Sequence, residues 1–266
     1  MLTHTLHTVL ARRPLGLVFD IDGTLSPFAP TPAEARLYPG VSSLLERARD
    51  QAGVHVAIIT GRVIDDGASM VNVDGITYVG THGLEWSDGL PTASTIEVVP
   101  ECLAYVQAGK QLLDLAEQEL SALPGLIIER KRVGGGLHYR LPPNPEEVRE
   151  KILALLTEPT HRLNMRLTEG KYLIEIKSPV VVNKGKALRR FVQHFALQGV
   201  VFAGDDRTDL DAIMEIARLR QDGLAALSIA VKDVDTLPVL LENADIIVVE
   251  VAGMVRLLHE IVESLS

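Results

Sequence analysis

The sequence predicts an α/β fold, a Rossmann-like parallel sheet interrupted by a smaller inserted α+β unit. Three observations point there. Apolar runs of strand length alternate with helical spacing over residues 15–79 and again over 185–265, and strands separated by helices call for parallel pairing in a doubly wound sheet. Between these stretches the order changes to helix, strand, strand, helix, strand, strand, an α+β unit of its own. An acidic cluster also follows an apolar strand in each half of the chain: Asp20-Ile21-Asp22 after 15–19, and Asp205-Asp206 after 200–203. Open α/β sheets bind ligands beyond such strand ends. The expected division is 1–86 with 180–266 as the core domain and 87–179 as the inserted domain.

The elements follow in order. Leu15 to Phe19 is uniformly apolar, as a buried strand is. Val41, Leu44, Leu45 and Ala48 give 40–52 helical spacing. Val54 to Ile59 is a second strand, 64–71 a short helix and 77–79 a third strand. In the insert, 100–122 reads as a long amphipathic helix, and 126–130 with 136–141 as two strands turning at Val133-Gly134-Gly135. Asn144-Pro145-Glu146-Glu147 opens the next helix with a capping residue, a first-turn proline and acids at its positive end. A hairpin over 164–176 turns at Glu169-Gly170-Lys171. The alternation then resumes with helices at 185–197, 208–220 and 251–265 and strands at 200–203, 224–231 and 244–249.

Composition narrows the function. The 266 residues carry a formal net charge of −9, which argues against nucleic acid, whose phosphates are met by clustered Lys and Arg. A phosphorylated small molecule needs only a few local cations and remains open as partner. The single cysteine, Cys102, cannot form an internal disulfide. That fits a reducing cytoplasm and excludes a thiolate metal site. No stretch approaches the ~18 apolar residues of a membrane span, and the first residues lack the apolar core of a signal peptide.

The chemistry concentrates at strand ends. Asp20 and Asp22 share a face if the extended backbone persists, where they can hold a hard cation and present a nucleophile. A solvated turn is the alternative, since Asp and Gly are ordinary turn residues. Asp205, Asp206 and Asp209 could complete an oxygen-rich, magnesium-sized site; helix capping accounts for one of these acids but not for three. Thr60-Gly61-Arg62 offers a hydroxyl, a flexible backbone and a cation to a phosphate. Lys184 could neutralise a phosphate and its attacking carboxylate, or be a solvated surface lysine.

Together, Asp20-Ile21-Asp22-Gly23-Thr24, Thr60, Lys184 and Gly204-Asp205-Asp206 resemble, in order and spacing, the four motifs of the haloacid dehalogenase superfamily of phosphohydrolases. The resemblance implies that Asp20 attacks phosphorus to form an aspartyl-phosphate and that Asp22 serves as acid and then base. It implies that Thr60 and Lys184 hold phosphoryl oxygens. It also implies Mg²⁺ on Asp20, the Asp22 carbonyl and Asp205, with Asp206 and Asp209 in support, directly or through water. The insert resembles the superfamily's α+β caps, which close over the site and read the leaving group.

The likeness narrows to the trehalose-6-phosphate phosphatase family. Gly80-Thr81-His82-Gly83-Leu84-Glu85, Glu129-Arg130-Lys131, His138-Tyr139-Arg140, Glu175 and Asn183-Lys184-Gly185 resemble its motifs. This implies substrate contacts from Gly61, Arg62, His82, Gly83, Glu129, Lys131, His138, Arg140 and Glu175. The expected activity is Mg²⁺-dependent hydrolysis of trehalose 6-phosphate in the cytoplasm, coupled functionally to a separate trehalose-6-phosphate synthase. The alternatives are phosphatases for sucrose phosphate or mannosyl-3-phosphoglycerate, a phosphoryl-transferring mutase, and a non-catalytic sugar-phosphate sensor. One departure stands out: the family's Arg-Pro after the glutamate is replaced by Ile176-Lys177-Ser178-Pro179, and Lys lacks the bidentate fork of Arg.

Overall fold

The computed structural model describes residues 3–29, 34–92 and 95–265. In chain order the first elements are α1 (His4–Leu10), β1 (Leu15–Phe19), α2 (Val41–Arg49), β2 (Val54–Ile59), α3 (Ile64–Val71), β3 (Thr77–Gly80), β4 (Glu85–Asp88) and β5 (Glu97–Val98). The middle of the chain holds a 3₁₀ turn (Pro100–Tyr105), α4 (Val106–Leu120), β6 (Ile127–Arg130), β7 (Gly135–His138), α5 (Pro145–Arg162), β8 (Arg166–Gly170) and β9 (Leu173–Lys177). The last part holds α6 (Lys184–His194), β10 (Gly199–Gly204), α7 (Leu210–Gln221), β11 (Ala225–Lys232), α8 (Pro238–Asn243), β12 (Ile246–Val249) and α9 (Glu250–Leu265). The chain divides into two compact units, one up to Glu97 and from Val182, the other Val98–Val181.

The first unit is built on a sheet of order β12-β11-β10-β1-β2-β3-β4-β5. β12 through β3 run parallel, and β4 joins β3 antiparallel. β1 and β10 are buried at every position, as parallel strands covered on both faces must be. Alternate residues feed two cores. Leu17, Phe19, Val56, Ile58 and Val201 pack with α1, α2, α3 and α9, while Val18, Ala57, Ile59 and Phe202 pack with α6 and α7. β1 lies between β10 and β2, so the chain winds outward from it in both directions. The carboxyl end of β1 is therefore the switch point at which open α/β sheets bind their ligands.

The second unit is an antiparallel sheet of order β6-β7-β9-β8. Its apolar face, with Leu137, Ile174 and Ile176, and the buried faces of α4 (Leu112, Leu113, Ala116) and α5 (Val148, Ile152, Leu156) make up its core. Its other face carries no helix of the unit.

Several elements differ from the sequence expectation. α1 forms where only short apolar pieces are legible; Thr3 caps it by accepting from the Leu6 N–H at 3.2 Å, and Leu6, Val9 and Leu10 are buried. At seven residues it is too short to show a helical period. β4 and β5 extend the first sheet past residue 87, so the contact boundary falls at 97/98 where the sequence pattern changes at 86/87. The expected helix over 100–122 starts as a 3₁₀ turn before continuing as α4. β7 ends at His138 rather than Leu141; the Tyr139 N–H still donates to the Tyr172 carbonyl at 3.0 Å, after which the chain leaves the sheet. Asn144 sits at the start of α5 without capping it through its side chain.

Candidate active site

Asp20 is the first residue beyond β1, and its backbone N–H donates to the Ala203 carbonyl at 3.0 Å. The chain then turns tightly: the N–H groups of Leu25 and Ser26 donate to the Ile21 carbonyl at 2.8 and 2.9 Å. Gly23 has φ +80°, and a Cβ there would fall 2.0 Å from Asp205 Oδ2. The turn thus requires glycine twice, for its backbone conformation and for the approach of the second acidic loop. Thr24 Oγ1 donates to Asp205 Oδ1 at 3.1 Å, joining the loops across 181 residues of sequence.

Lys184 opens α6 with 2% of its side chain exposed, and its Nζ lies 2.7 Å from Asp20 Oδ1 and 2.8 Å from Asp209 Oδ1. It is not a surface lysine. The other oxygen of Asp209 accepts the N–H groups of Asp205 and Asp206, each at 3.1 Å. Asp206 Oδ1 accepts from the Thr208 N–H (2.8 Å), the Thr208 hydroxyl (2.7 Å) and the Asp209 N–H (3.2 Å). Asp206 therefore organises the turn before α7.

Of these four carboxylates, the single ammonium of Lys184 pairs directly with two, Asp20 and Asp209. Burial pushes Asp20 above its ordinary value, with Lys184 opposing. Burial, reinforced by Asp20, Asp209 and Asp206, pushes Asp205 up to about 8, and burial outweighs Lys184 at Asp209, also reaching about 8. Burial works against the Lys184 charge, but Asp20, Asp209 and Asp206 hold its pKa above the ordinary range. At Asp206 burial is overcome by Lys184 and the Thr208 and Asp209 hydrogen bonds, leaving the carboxyl below its usual value.

This excess of buried negative charge is what a hard divalent cation relieves. Carboxylate oxygens of Asp20, Asp205 and Asp209 lie within 4.8 Å of one another, and an all-oxygen donor set suits Mg²⁺. The residues fit such an ion. The side chains of Asp22 and Asp206 do not join that trio: Asp206 caps its turn, and Asp22 is held by Arg62. Arg62 Nε and Nη2 donate to Asp22 Oδ2 and Oδ1 at 2.7 and 2.6 Å, a bidentate pair, and that pairing raises the Arg62 pKa.

Thr60 follows β2 beside the end of β1 and is buried. Its hydroxyl accepts from the Arg62 N–H at 3.2 Å. The 3₁₀ turn Thr81–Gly83 braces this segment. The Thr81 and His82 N–H groups donate to the Arg62 and Thr60 carbonyls at 2.8 and 2.9 Å. Thr81 and His82 both have positive φ, +49° and +57°, a conformation uncommon outside glycine. The His82 ring covers Gly61, where a Cβ would meet its Cε1 at 2.5 Å. Gly83 is close-packed on α6, 3.2 Å from the Asn183 carbonyl by the same measure, and so helps locate Lys184.

Glu85 deserves a place beside these residues, although its residue type alone marks no role. It is 1% exposed, and its Oε2 accepts from the Ile64 N–H at 2.8 Å and the Thr81 hydroxyl at 3.3 Å. A carboxylate at the start of α3 is favoured by the helix field, and it ties the 81–83 turn to that helix. The signal for it was its position closing the Gly80–Glu85 motif.

In the second unit, four of the five expected residues are linked on the helix-free face. His138 Nε2 and Glu129 Oε2 are 3.1 Å apart, and Lys131 Nζ lies 4.0 Å from Glu129 and 3.5 Å from Glu175. Lys177 Nζ pairs with Glu175 at 2.6 Å, so the lysine in place of the family arginine keeps an ionic partner. Burial of Glu175 is outweighed by Lys177 and Lys131, which hold its carboxyl below the usual range. Arg140 stands apart. It lies beyond the end of β7, with its guanidinium carbon 5.6 Å from the Tyr172 ring centre.

Residues 18–236 match the sequence model of the family described as trehalose-phosphatase. The chain is 35% identical over 215 residues to the trehalose-phosphate phosphatase of Mycolicibacterium paratuberculosis (strain ATCC BAA-968 / K-10), over 76% of this chain and 51% of that protein. It thus spans about half the length of the curated relatives it matches. Among solved structures it is similar to a trehalose-6-phosphate phosphatase related protein, with TM-score 0.68 and 25% identity over 93% of this chain and 97% of that one. The fold is shared with a haloacid dehalogenase-like hydrolase from Bacteroides thetaiotaomicron, at TM-score 0.61 and 15% identity over 92% and 98%.

Proposed function

The chain belongs to the trehalose-phosphatase family, and from that premise we propose that it hydrolyses trehalose 6-phosphate to trehalose and phosphate, with Mg²⁺ as its cation. The observation that carries this reading is the buried Asp20–Lys184 pair beside Asp205 and Asp209. A carboxylate held by an ammonium at a strand end is equipped to attack a phosphoryl group.

In this reading Asp20 attacks phosphorus, the bond from phosphorus to the sugar oxygen breaks, and Asp22 gives that oxygen its proton. Water, losing a proton to Asp22, then cleaves the aspartyl-phosphate, so that phosphate leaves and the Asp20 carboxylate is regenerated. Lys184 holds Asp20 in place and offsets charge on the phosphoryl oxygens, while Thr60 donates a hydrogen bond to one of them. Arg62, paired with Asp22 at rest, has to release it as the guanidinium turns to the phosphoryl group. Mg²⁺, when bound by Asp20 and Asp205, supplies further charge neutralisation at those oxygens. Asp206 and Asp209 order the loop that presents Asp205.

We assign sugar recognition to Glu129, Lys131, His138 and Glu175, with Arg140 at the margin, which makes the second unit a cap in function. The substrate would come from a separate synthase that joins a sugar to a sugar phosphate, and we place the reaction in the cytoplasm. No helix among the described residues is long and apolar enough to cross a membrane. The test is phosphate release from trehalose 6-phosphate, sucrose phosphate, mannosyl-3-phosphoglycerate and p-nitrophenyl phosphate, each with Mg²⁺ and with EDTA. Highest kcat/KM on trehalose 6-phosphate, lost with EDTA, is the expected result. Faster turnover of another sugar phosphate overturns the substrate, and isomerised sugar phosphate in place of free phosphate overturns hydrolysis.

A further inference from the structure

Gly136 lies inside β7, and β7 is an inner strand paired with both β6 and β9. Glycine weakens a strand interior, since it loses the most freedom on folding and packs nothing; there it marks a bulge, a bend or a close approach. Two neighbouring glycines are demanded by the backbone. Gly134 has φ +79°, and a Cβ on it would fall 2.0 Å from the Ile176 carbonyl oxygen; a Cβ on Gly135 would fall 2.2 Å from the Glu129 carbonyl oxygen. Gly136 has no such reason. Its φ is not left-handed, and a Cβ would meet only side-chain ends: Leu173 Cδ1 at 3.1 Å, Glu129 Oε2 at 3.4 Å and His138 Nε2 at 3.4 Å.

Those ends belong to the recognition face. The register places Gly136 opposite Glu129 on one side and opposite Glu175 on the other, so the three form one row across the sheet. Lys131 reaches toward both acids, 4.0 Å from Glu129 and 3.5 Å from Glu175. A hexose has two faces of C–H groups bounded by hydroxyls. Gly136 is buried under those side-chain ends; when they turn away, the bare backbone between two carboxylates admits such a ring against the sheet, with its hydroxyls turned to Glu129, Glu175 and Lys131. The side chains of Glu129, His138 and Leu173 are long enough to swing aside for it.

We propose that Gly136 is a specificity-determining residue whose missing side chain seats one hexose ring of the substrate between Glu129 and Glu175. This rests on the sugar-phosphate reading above. Adding one methyl group to a fitted pocket changes discrimination by about tenfold or more.

The experiment measures kcat/KM for trehalose 6-phosphate and for p-nitrophenyl phosphate in the wild type and in Gly136→Ala, with thermal melting of both and of Gly135→Ala. The expected result is a fall of about tenfold or more in the ratio of the two kcat/KM values for Gly136→Ala. Its melting temperature should stay near that of the wild type, and that of Gly135→Ala should drop. An unchanged ratio overturns the proposal, as does a Gly136→Ala protein that melts as early as Gly135→Ala, because the glycine is then structural. A wild type with no preference for trehalose 6-phosphate over p-nitrophenyl phosphate removes the parent reading and this one together. A wild-type preference that survives in Gly136→Ala removes only the glycine.

Discussion

Asp209 is fully buried and grips Lys184 at 2.8 Å through Oδ1, while its Oδ2 accepts the N–H groups of Asp205 and Asp206 at 3.1 Å. One side chain thus fixes both the cation beside Asp20 and the loop that carries Asp205. Asp209→Ala leaves two N–H groups without their acceptor and Lys184 with one partner fewer. The expected loss is about 3 kcal/mol, since each orphaned buried group costs about 1–3 kcal/mol. Urea denaturation at neutral pH measures it; a midpoint equal to that of the wild type would falsify this role.

The acidic cluster gives the metal-free protein a characteristic pH response. The carboxyls of Asp205 and Asp209 are raised from 3.8 to about 8, so between these values the folded chain binds more protons than the unfolded one. Stability from these groups is then fully present below about pH 4 and is lost as pH rises through 8. In EDTA, the two groups should make the urea midpoint decline across that window. Mg²⁺ binds the ionised form, so its stabilising effect should grow toward the alkaline end. A Mg²⁺ effect that shrinks as pH rises contradicts the assignment.

Asp20→Asn removes the nucleophile but keeps the shape of the side chain. Phosphate release should fall by about 10³-fold or more, while circular dichroism and the melting transition show a folded protein. Unchanged kinetics refutes the nucleophile.

The contact between Gly61 and His82 is testable as a pair. A Cβ at residue 61 would lie 2.5 Å from His82 Cε1, so Gly61→Ala forces the ring away and should destabilise by about 1–3 kcal/mol, the usual range for overpacking. In a His82→Ala background the same substitution should cost markedly less. A double-mutant cycle in urea reads the coupling, and strict additivity would show that the ring does not constrain this position.

Much of this fold was legible in the chain. β1, β2 and α3 follow the expected spans residue for residue; β1 is wholly apolar, and β2 is broken only by the half-buried His55. α1, β4, β5 and α8 were not legible. α1 and α8 have seven and six residues, and β5 only two, too few for a period. β4 carries Glu85, Ser87 and Asp88, which lack the apolar signature of a strand, yet its first three residues are buried. Neighbours in the sheet hold it there, not its own preference. Arg140 falls inside the expected strand over 136–141, but β7 stops at His138, before it.

The sequence by itself determined the kinds of groups present and their order. It set carboxylates after β1 and β10, a hydroxyl and a cation after β2, a lysine at the head of α6, and alternating charges in the second sheet. Only the tertiary structure decided which of these groups meet. Arg62 holds Asp22 across 40 residues, Lys184 joins Asp20 to Asp209, and Glu129, Gly136 and Glu175 fall into one row. Such pairings depend on strand order and register, and those are set by how whole faces bury against one another. A local window of sequence contains neither.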